Sequence, residues 1–311
     1  MGKTIGAVAA ALGALLAARQ AYAEELWYPH PPGLDEGLEA GAAPSVGVYG
    51  IVNQYYGTFK EYGSSGASAG YGVDALFEVP VLFWQTGFKV LGGSYSAAVA
   101  LPFDFSNIYG TGLAPANNVH GLYNTMVVPG QLAWRLRDNF YVKAGLTINI
   151  DDATSSFAHP PNGGGLGSGN GYWTIQPDFG VSWLRDGWNV SLSMHYAINL
   201  ADADYHIAGG VSKYQSGDVI AGDYTVMKRL GKWKFGVGGY SEDQLTPDTG
   251  EGAILAGCAK SNGCKAQSYG AGPLLGYEFG GLSALVEYNF PIASRNGLNG
   301  RLLNVRFVIP F

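Results

Sequence analysis

The chain has 311 residues, with 18 Lys and Arg against 24 Asp and Glu and a net charge of −6. Charged residues make up 14%, against roughly 25% in ordinary soluble domains, while Gly numbers 48 and aromatic residues reach 13%. The acidic balance excludes nucleic-acid binding through a basic surface. Beyond the first twenty-odd positions no apolar run approaches the ~18 residues that a membrane helix needs, so helical spans are excluded too.

The first element in chain order is "MGKTIGAVAAALGALLAARQAYA". Its basic Lys3, apolar stretch and Ala21-Tyr22-Ala23 ending have the layout of a secretory signal peptide, cleaved after Ala23. The mature chain would carry a net charge of −8. Three units follow: 1–23 as signal peptide, 24–44 as a periplasmic segment and 45–311 as one β domain. Segment 24–44 is too rich in Pro and Gly for a strand. Leu34 and Leu38 stand four apart, which fits one or two helical turns. Two fates remain open for this segment. It plugs the periplasmic mouth through Trp27, Tyr28, His30, Leu34 and Leu38, or it hangs as a loose tether.

Twelve strand-like segments come next, near 45–57, 73–84, 88–103, 122–136, 139–151, 171–184, 187–200, 217–229, 232–242, 268–279, 281–291 and 301–311. Alternation is cleanest in 139–151, where Phe140, Val142, Ala144, Leu146, Ile148 and Ile150 oppose Tyr141, Lys143, Thr147 and Asn149. Period two places such sets on opposite faces of a strand. Short Gly/Asn/Asp turns at 85–87, 137–139, 185–187, 230–232 and 279–281 suit tight hairpins. Long Gly/Ser/Asn-rich connections separate them. An up-and-down antiparallel β-barrel follows, with short turns on the periplasmic side and long loops outside, as in bacterial outer-membrane barrels.

The last stretch, "RLLNVRFVIPF", carries one wholly apolar face. In hydrocarbon every backbone N–H and C=O must be paired within the protein, so this strand is expected to pair with 45–57 and close the ring. Its apolar face then meets lipid, in the outer membrane of a Gram-negative cell. A secreted β-sandwich or lipocalin-like barrel is the soluble alternative, and it would carry more surface charge.

At "ELWYPHPPG" (25–33), "GLEAGAAPSVGVYG" (37–50) and "VPVLFWQTGFKVLGGSYSAAVALPF" (79–103) the chain resembles the meta-pathway phenol degradation family. Beyond residue 103 the similarity is mainly architectural. The resemblance implies an exported outer-membrane barrel that passes small hydrophobic or aromatic solutes without catalysis or cofactor. The terminal Phe311 resembles the residue that the barrel-assembly machinery reads. A general porin for small polar solutes, a structural barrel and a lipid-modifying enzyme are the alternatives.

Ionisable groups at membrane depth are costly unless they face an aqueous interior. Parity places Asp74, Glu78, Arg135, Lys143, Asp178, His195, Glu287 and Arg306 in the lumen, either bracing the barrel or meeting a solute. His195 shares a face with Ser191 and Ser193, but no G-x-S-x-G elbow is present, so a polar row is expected rather than a catalytic one. Cys258 and Cys264 flank "AKSNG" on one long loop, where an oxidising compartment favours a local disulfide. No metal site is expected. The glycine run 162–171 opens no helix of a βαβ unit, which dismisses a nucleotide site.

Overall fold

Alternating side chains build a wall only if each strand finds partners on both edges. The computed structural model, which describes residues 27–110, 117–156, 167–207 and 210–311, shows how that is met. The expected leader and its cleavage site lie outside the described residues. Strands β1 (Gly47–Tyr62), β2 (Ser68–Val90), β3 (Gly93–Ala100), β4 (Phe103–Gly110), β5 (Asn117–Leu122), β6 (Met126–Arg135), β7 (Phe140–Asn149), β8 (Thr174–Arg185) and β9 (Trp188–Asn199) are followed by a loop hairpin, β10 (Asp202–Ile207) and β11 (Gly210–Tyr214). The wall resumes with β12 (Val219–Leu230), β13 (Trp233–Gln244), β14 (Gln267–Glu278), β15 (Ser283–Arg295) and β16 (Gly297–Pro310). All pair antiparallel with their neighbours, and β1 bonds both β2 and β16. The result is a closed antiparallel barrel of 12 staves.

Two staves are broken. The lower half of β2 pairs with β3 and its upper half with β4, while β3 pairs with β6 and β4 with β5. Thus β3–β4 and β5–β6 are each one stave, interrupted at Leu101-Pro102 and at Tyr123-Asn124-Thr125. Pro102 cannot donate to a ladder. Among the described residues the far edge of β5 meets no strand. Scattered bonds stitch that seam instead, two of them from backbone to backbone: Thr154 N–H to the Leu122 carbonyl (3.0 Å) and Ile150 N–H to the Thr125 carbonyl (2.9 Å). Leu122 N–H donates to Thr154 Oγ1 (2.8 Å), Thr125 N–H to Asp152 Oδ1 (2.8 Å), and Asn124 Nδ2 to the Ile150 and Asn170 carbonyls (2.7 and 3.0 Å).

Three connections differ from the sequence reading. The turn expected at 85–87 lies at Leu91-Gly92, both at positive φ (50° and 78°), as a two-residue hairpin turn requires. Segment 104–121 was expected as a loop, yet it holds β4 and β5. The loop expected at 292–300 is mostly strand, turning at Asn296. On the long-loop side, β10–β11, a helix α1 (Glu251–Ala256) and the bonded pair Cys258–Cys264 pack together around Tyr205 and Tyr214. Asp248 lies under this cap. Burial pushes its carboxyl up to about 6, against the pull of hydrogen bonds from Tyr214, the Gly217 N–H and Gln244.

The outer face is apolar. Leu82, Trp84, Phe140, Val190, Phe235 and Ile309 all stand exposed on it. No helix among the described residues is long and apolar enough to cross a membrane.

Candidate functional site

The interior is filled by a piece of this same chain. Segment 27–44 runs down the lumen and leads into β1 at the short-turn end. It forms successive tight turns, with Leu34, Glu36 and Leu38 N–H groups donating to the Pro31, Gly33 and Asp35 carbonyls. Each joins residues three apart in a four-residue turn, so the expected helical turns through Leu34 and Leu38 give way to a chain of separate tight turns. Gly and Pro within the run disfavour a helix. The segment fits because the wall makes room. A Cβ on Gly180 would stand 2.2 Å from the Ala40 carbonyl oxygen.

Its upper end meets an apolar flank. Trp27 packs edge-on to Phe59 at 5.0 Å, and its Nε1 donates to Asp104 (3.1 Å). Leu34 packs against the same cluster, which includes Tyr55, Val73, Phe77, Val79 and Met126. The Tyr123 hydroxyl donates to the Trp27 and Tyr28 carbonyls (both 3.0 Å), and Tyr28 packs with Ala197 and Val219.

The opposite flank is polar. Asp223 accepts hydrogen bonds from the Gly33 and Asp35 N–H groups (3.1 and 2.8 Å) and meets His30 Nε2 at 3.0 Å. His30 stacks on His195, ring centroids 3.7 Å apart. His195 Nδ1 meets Asp178 Oδ1 at 2.7 Å, and Asp178 also accepts from Thr147 and Gln176. Arg306, 2% exposed, donates to Asn53 and to the Glu36 and Leu34 carbonyls, with Glu287 at 3.9 Å. Glu36 Oε1 accepts from Asn289 (2.8 Å). Burial, then the charges of Glu287 and Asp223, push the Glu36 carboxyl up to about 10. Burial also works to raise Asp35, but the hydrogen bond and charge of His195 outweigh it and hold that carboxyl well below its ordinary value.

The structure therefore gathers Asp178, His195, Glu287 and Arg306 around the inserted segment, and Lys143 lines the cavity beside them. Arg135 sits exposed near the short-turn rim, over the Tyr141 ring. Asp74 and Glu78 need correction, because both face outward. The inner face of β2 is Val73, Ala75, Phe77 and Val79, buried against Tyr55, Phe59 and the inserted segment. A polar-inside rule holds for a water-filled lumen and fails where protein fills it. On the outer face Gln54 Nε2 donates to Glu78 (3.5 Å). Sequence reasoning missed Asp223, which holds the segment most directly. Its neighbours in 217–229 alternate poorly, so no register pointed to it.

Ser193 Oγ donates to Asp35 (2.6 Å), and Ser191 Oγ bonds Ser182 and Asn189. Neither hydroxyl is directed at His195. A cavity of about 620 Å³ remains between segment and wall. Ile51, Val81, Ala100 and Val128 line one side and Lys143, Gln176 and Asp178 the other, and Arg229 and Lys234 stand at its short-turn end.

An apolar belt around a closed ring whose interior holds a segment of the same chain defines a β-barrel of the outer-membrane class. The chain belongs to the family described as "Putative MetA-pathway of phenol degradation", which matches residues 57–307. That match runs far beyond residue 103, where the resembling stretches end, and leaves the inserted segment outside it. A crystal structure of an outer membrane channel from Pseudomonas putida F1 superposes with a TM-score of 0.74 at 14% identity, covering 88% of this chain and 98% of that one. The translocator domain of the autotransporter NalP from Neisseria meningitidis follows at 0.50 and 14%, covering 87% and 91%. At such identities the likeness is one of fold. No curated protein matches the chain.

Proposed function

We propose that the chain is a passive conduit for small hydrophobic or aromatic molecules, in keeping with its family's association with phenol degradation. One observation carries this reading: one flank of the lumen wall is apolar, with Val81, Ala100 and Val128 lining the cavity. A purely polar solute gains nothing from such a surface, whereas burial of an aromatic solute's apolar area is favourable at about 25 cal/mol per Å². Ile254, Leu255 and Val211 stand exposed on the long-loop cap and offer a first landing surface. The loop tyrosines Tyr205 and Tyr214 are buried around the disulfide and are not part of it. From the cap a solute passes along the apolar flank, or out through the stitched seam beside β5, where scattered backbone and side-chain bonds stand in place of a regular ladder. Segment 27–44 acts as the plug that keeps larger polar solutes out.

Proteoliposomes carrying the protein, given a labelled phenol-sized aromatic and a small sugar of similar size, test this reading. Faster protein-dependent flux of the aromatic is expected. Equal or greater sugar flux would point to a general porin, and no flux of either to a structural barrel.

A further inference from the structure

We propose that His30 and Asp35 of the inserted segment, together with His195 and Asp223 of the wall, form a binding site for a divalent transition-metal ion of the zinc class. The site rests on where segment 27–44 lies, not on which solute passes.

Donor atoms from His30, His195 and Asp223 all lie within 4.8 Å of one another. The three residues are 4%, 6% and 3% exposed. Two spacings already approach the edge of a tetrahedral shell: His30 Nε2 to Asp223 Oδ2 at 3.0 Å, and His195 Nε2 to Asp35 Oδ2 at 3.4 Å. Two imidazoles and two carboxylates are a donor set that zinc accepts.

Proximity alone would not suffice, since hydrogen bonding also brings His and Asp together. The second observation is the state of His195. Its Nδ1 is held by Asp178 at 2.7 Å, and Asp178 is itself fixed by Thr147 and Gln176. Metal-binding histidines are oriented in this way, the far nitrogen bonded to a carboxylate and the near one free to coordinate. The near nitrogen here, Nε2, is buried and faces Asp35 Oδ2 at 3.4 Å, itself a candidate ligand. Asp35 is oriented in turn by Ser193 Oγ at 2.6 Å.

Electrostatics favour a cation. Asp35, Asp178 and Asp223 converge on the histidine pair, and Lys143 is the cation facing Asp35. A dication held between the two rings, whose centroids stand 3.7 Å apart, offsets the excess of carboxylates. A metal lies in the plane of each imidazole that binds it, so occupancy swings the two rings out of their stack. His30, Asp35 and His195 line the cavity that reaches the short-turn end, which gives the ion a way in. Bound there, it ties the segment to the wall.

The test uses tag-free full-length protein in detergent, stripped with a chelator and titrated calorimetrically with Zn²⁺, with Co²⁺ as a visible-spectrum probe. One equivalent should bind, and the cobalt form should show four-coordinate absorption. His30→Ala, which leaves every wall residue in place, should abolish saturable binding, as should His195→Ala. Asp178→Asn should weaken it about 10–100-fold, the cost of losing an orienting partner. His206→Ala, on the outer loop, should bind normally. No saturable binding by the intact protein, or binding that survives His30→Ala, would overturn the proposal.

Discussion

The two flanks of the lumen follow opposite rules. On β1 and β2 the inward residues are Tyr55, Phe59, Val73, Phe77 and Val79, and the outward ones include Gln54, Thr58, Asp74 and Glu78. On β8, β9, β12, β15 and β16 the inward set is Gln176, Asp178, Ser193, His195, Asp223, Glu287 and Arg306, and the outward set is aliphatic and aromatic. Segment 27–44 explains the difference. It gives Trp27 and Leu34 to the first flank and His30, Asp35 and Glu36 to the second, so each wall is complementary to the face it meets. A barrel interior takes its polarity from its contents, whether water or protein.

Breaking the polar flank at the fully buried Arg306 should have the largest effect. Arg306→Ala leaves the buried Glu287 without its cation and the Glu36 and Leu34 carbonyls without their donor, and removing one partner of a buried pair costs about 3–5 kcal/mol. Urea unfolding in detergent, followed by the mobility shift of the unfolded barrel, reads this. Glu36 comes next. Its folded carboxyl is pushed up to about 10 from an ordinary value of about 4.3. Its share of segment docking is therefore complete below the ordinary value and is lost as pH rises toward 10. Conductance should grow across that window, and Glu36→Gln, neutral throughout, should flatten the dependence.

A smaller effect sharpens the inside–outside assignment. Glu78→Leu on the outer face should be neutral or stabilising by less than about 2 kcal/mol, since a lipid-facing carboxylate is a modest burden, whereas Glu287→Leu should destabilise. The smallest change is expected from Cys258→Ser with Cys264→Ser. A bridge six residues apart closes a loop well under the 15 residues that contribute about 3 kcal/mol. Proteolysis within 243–267 should quicken while the barrel's unfolding midpoint holds.

Period-two alternation made the barrel legible, because lipid on one side and a polar interior on the other leave that imprint on β7, β9, β15 and β16. Lys143, His195, Glu287 and Arg306 could be placed from it. Asp74 and Glu78 could not, since their strand is apolar inside and amphipathic outside, the reverse of the pattern that parity assumes. The seam beside β5 was equally hidden. A stave broken at Pro102 reads in sequence as a loop, and its stitching comes from Asn124, Asp152, Thr154 and Asn170, which are ordinary loop residues until the fold brings them together. That the segment is no strand showed in its composition; whether it enters the barrel or hangs as a tether did not, since its insertion depends on Trp27 reaching Asp104 and Phe59.

The central claim is that residues 27–44 fill the lumen and match both of its flanks. Single-channel conductance of the chain lacking residues 24–43, recorded beside the intact protein, tests it most directly. A several-fold rise in conductance with loss of the pH dependence is the predicted result. An unchanged conductance from a folded barrel would contradict it.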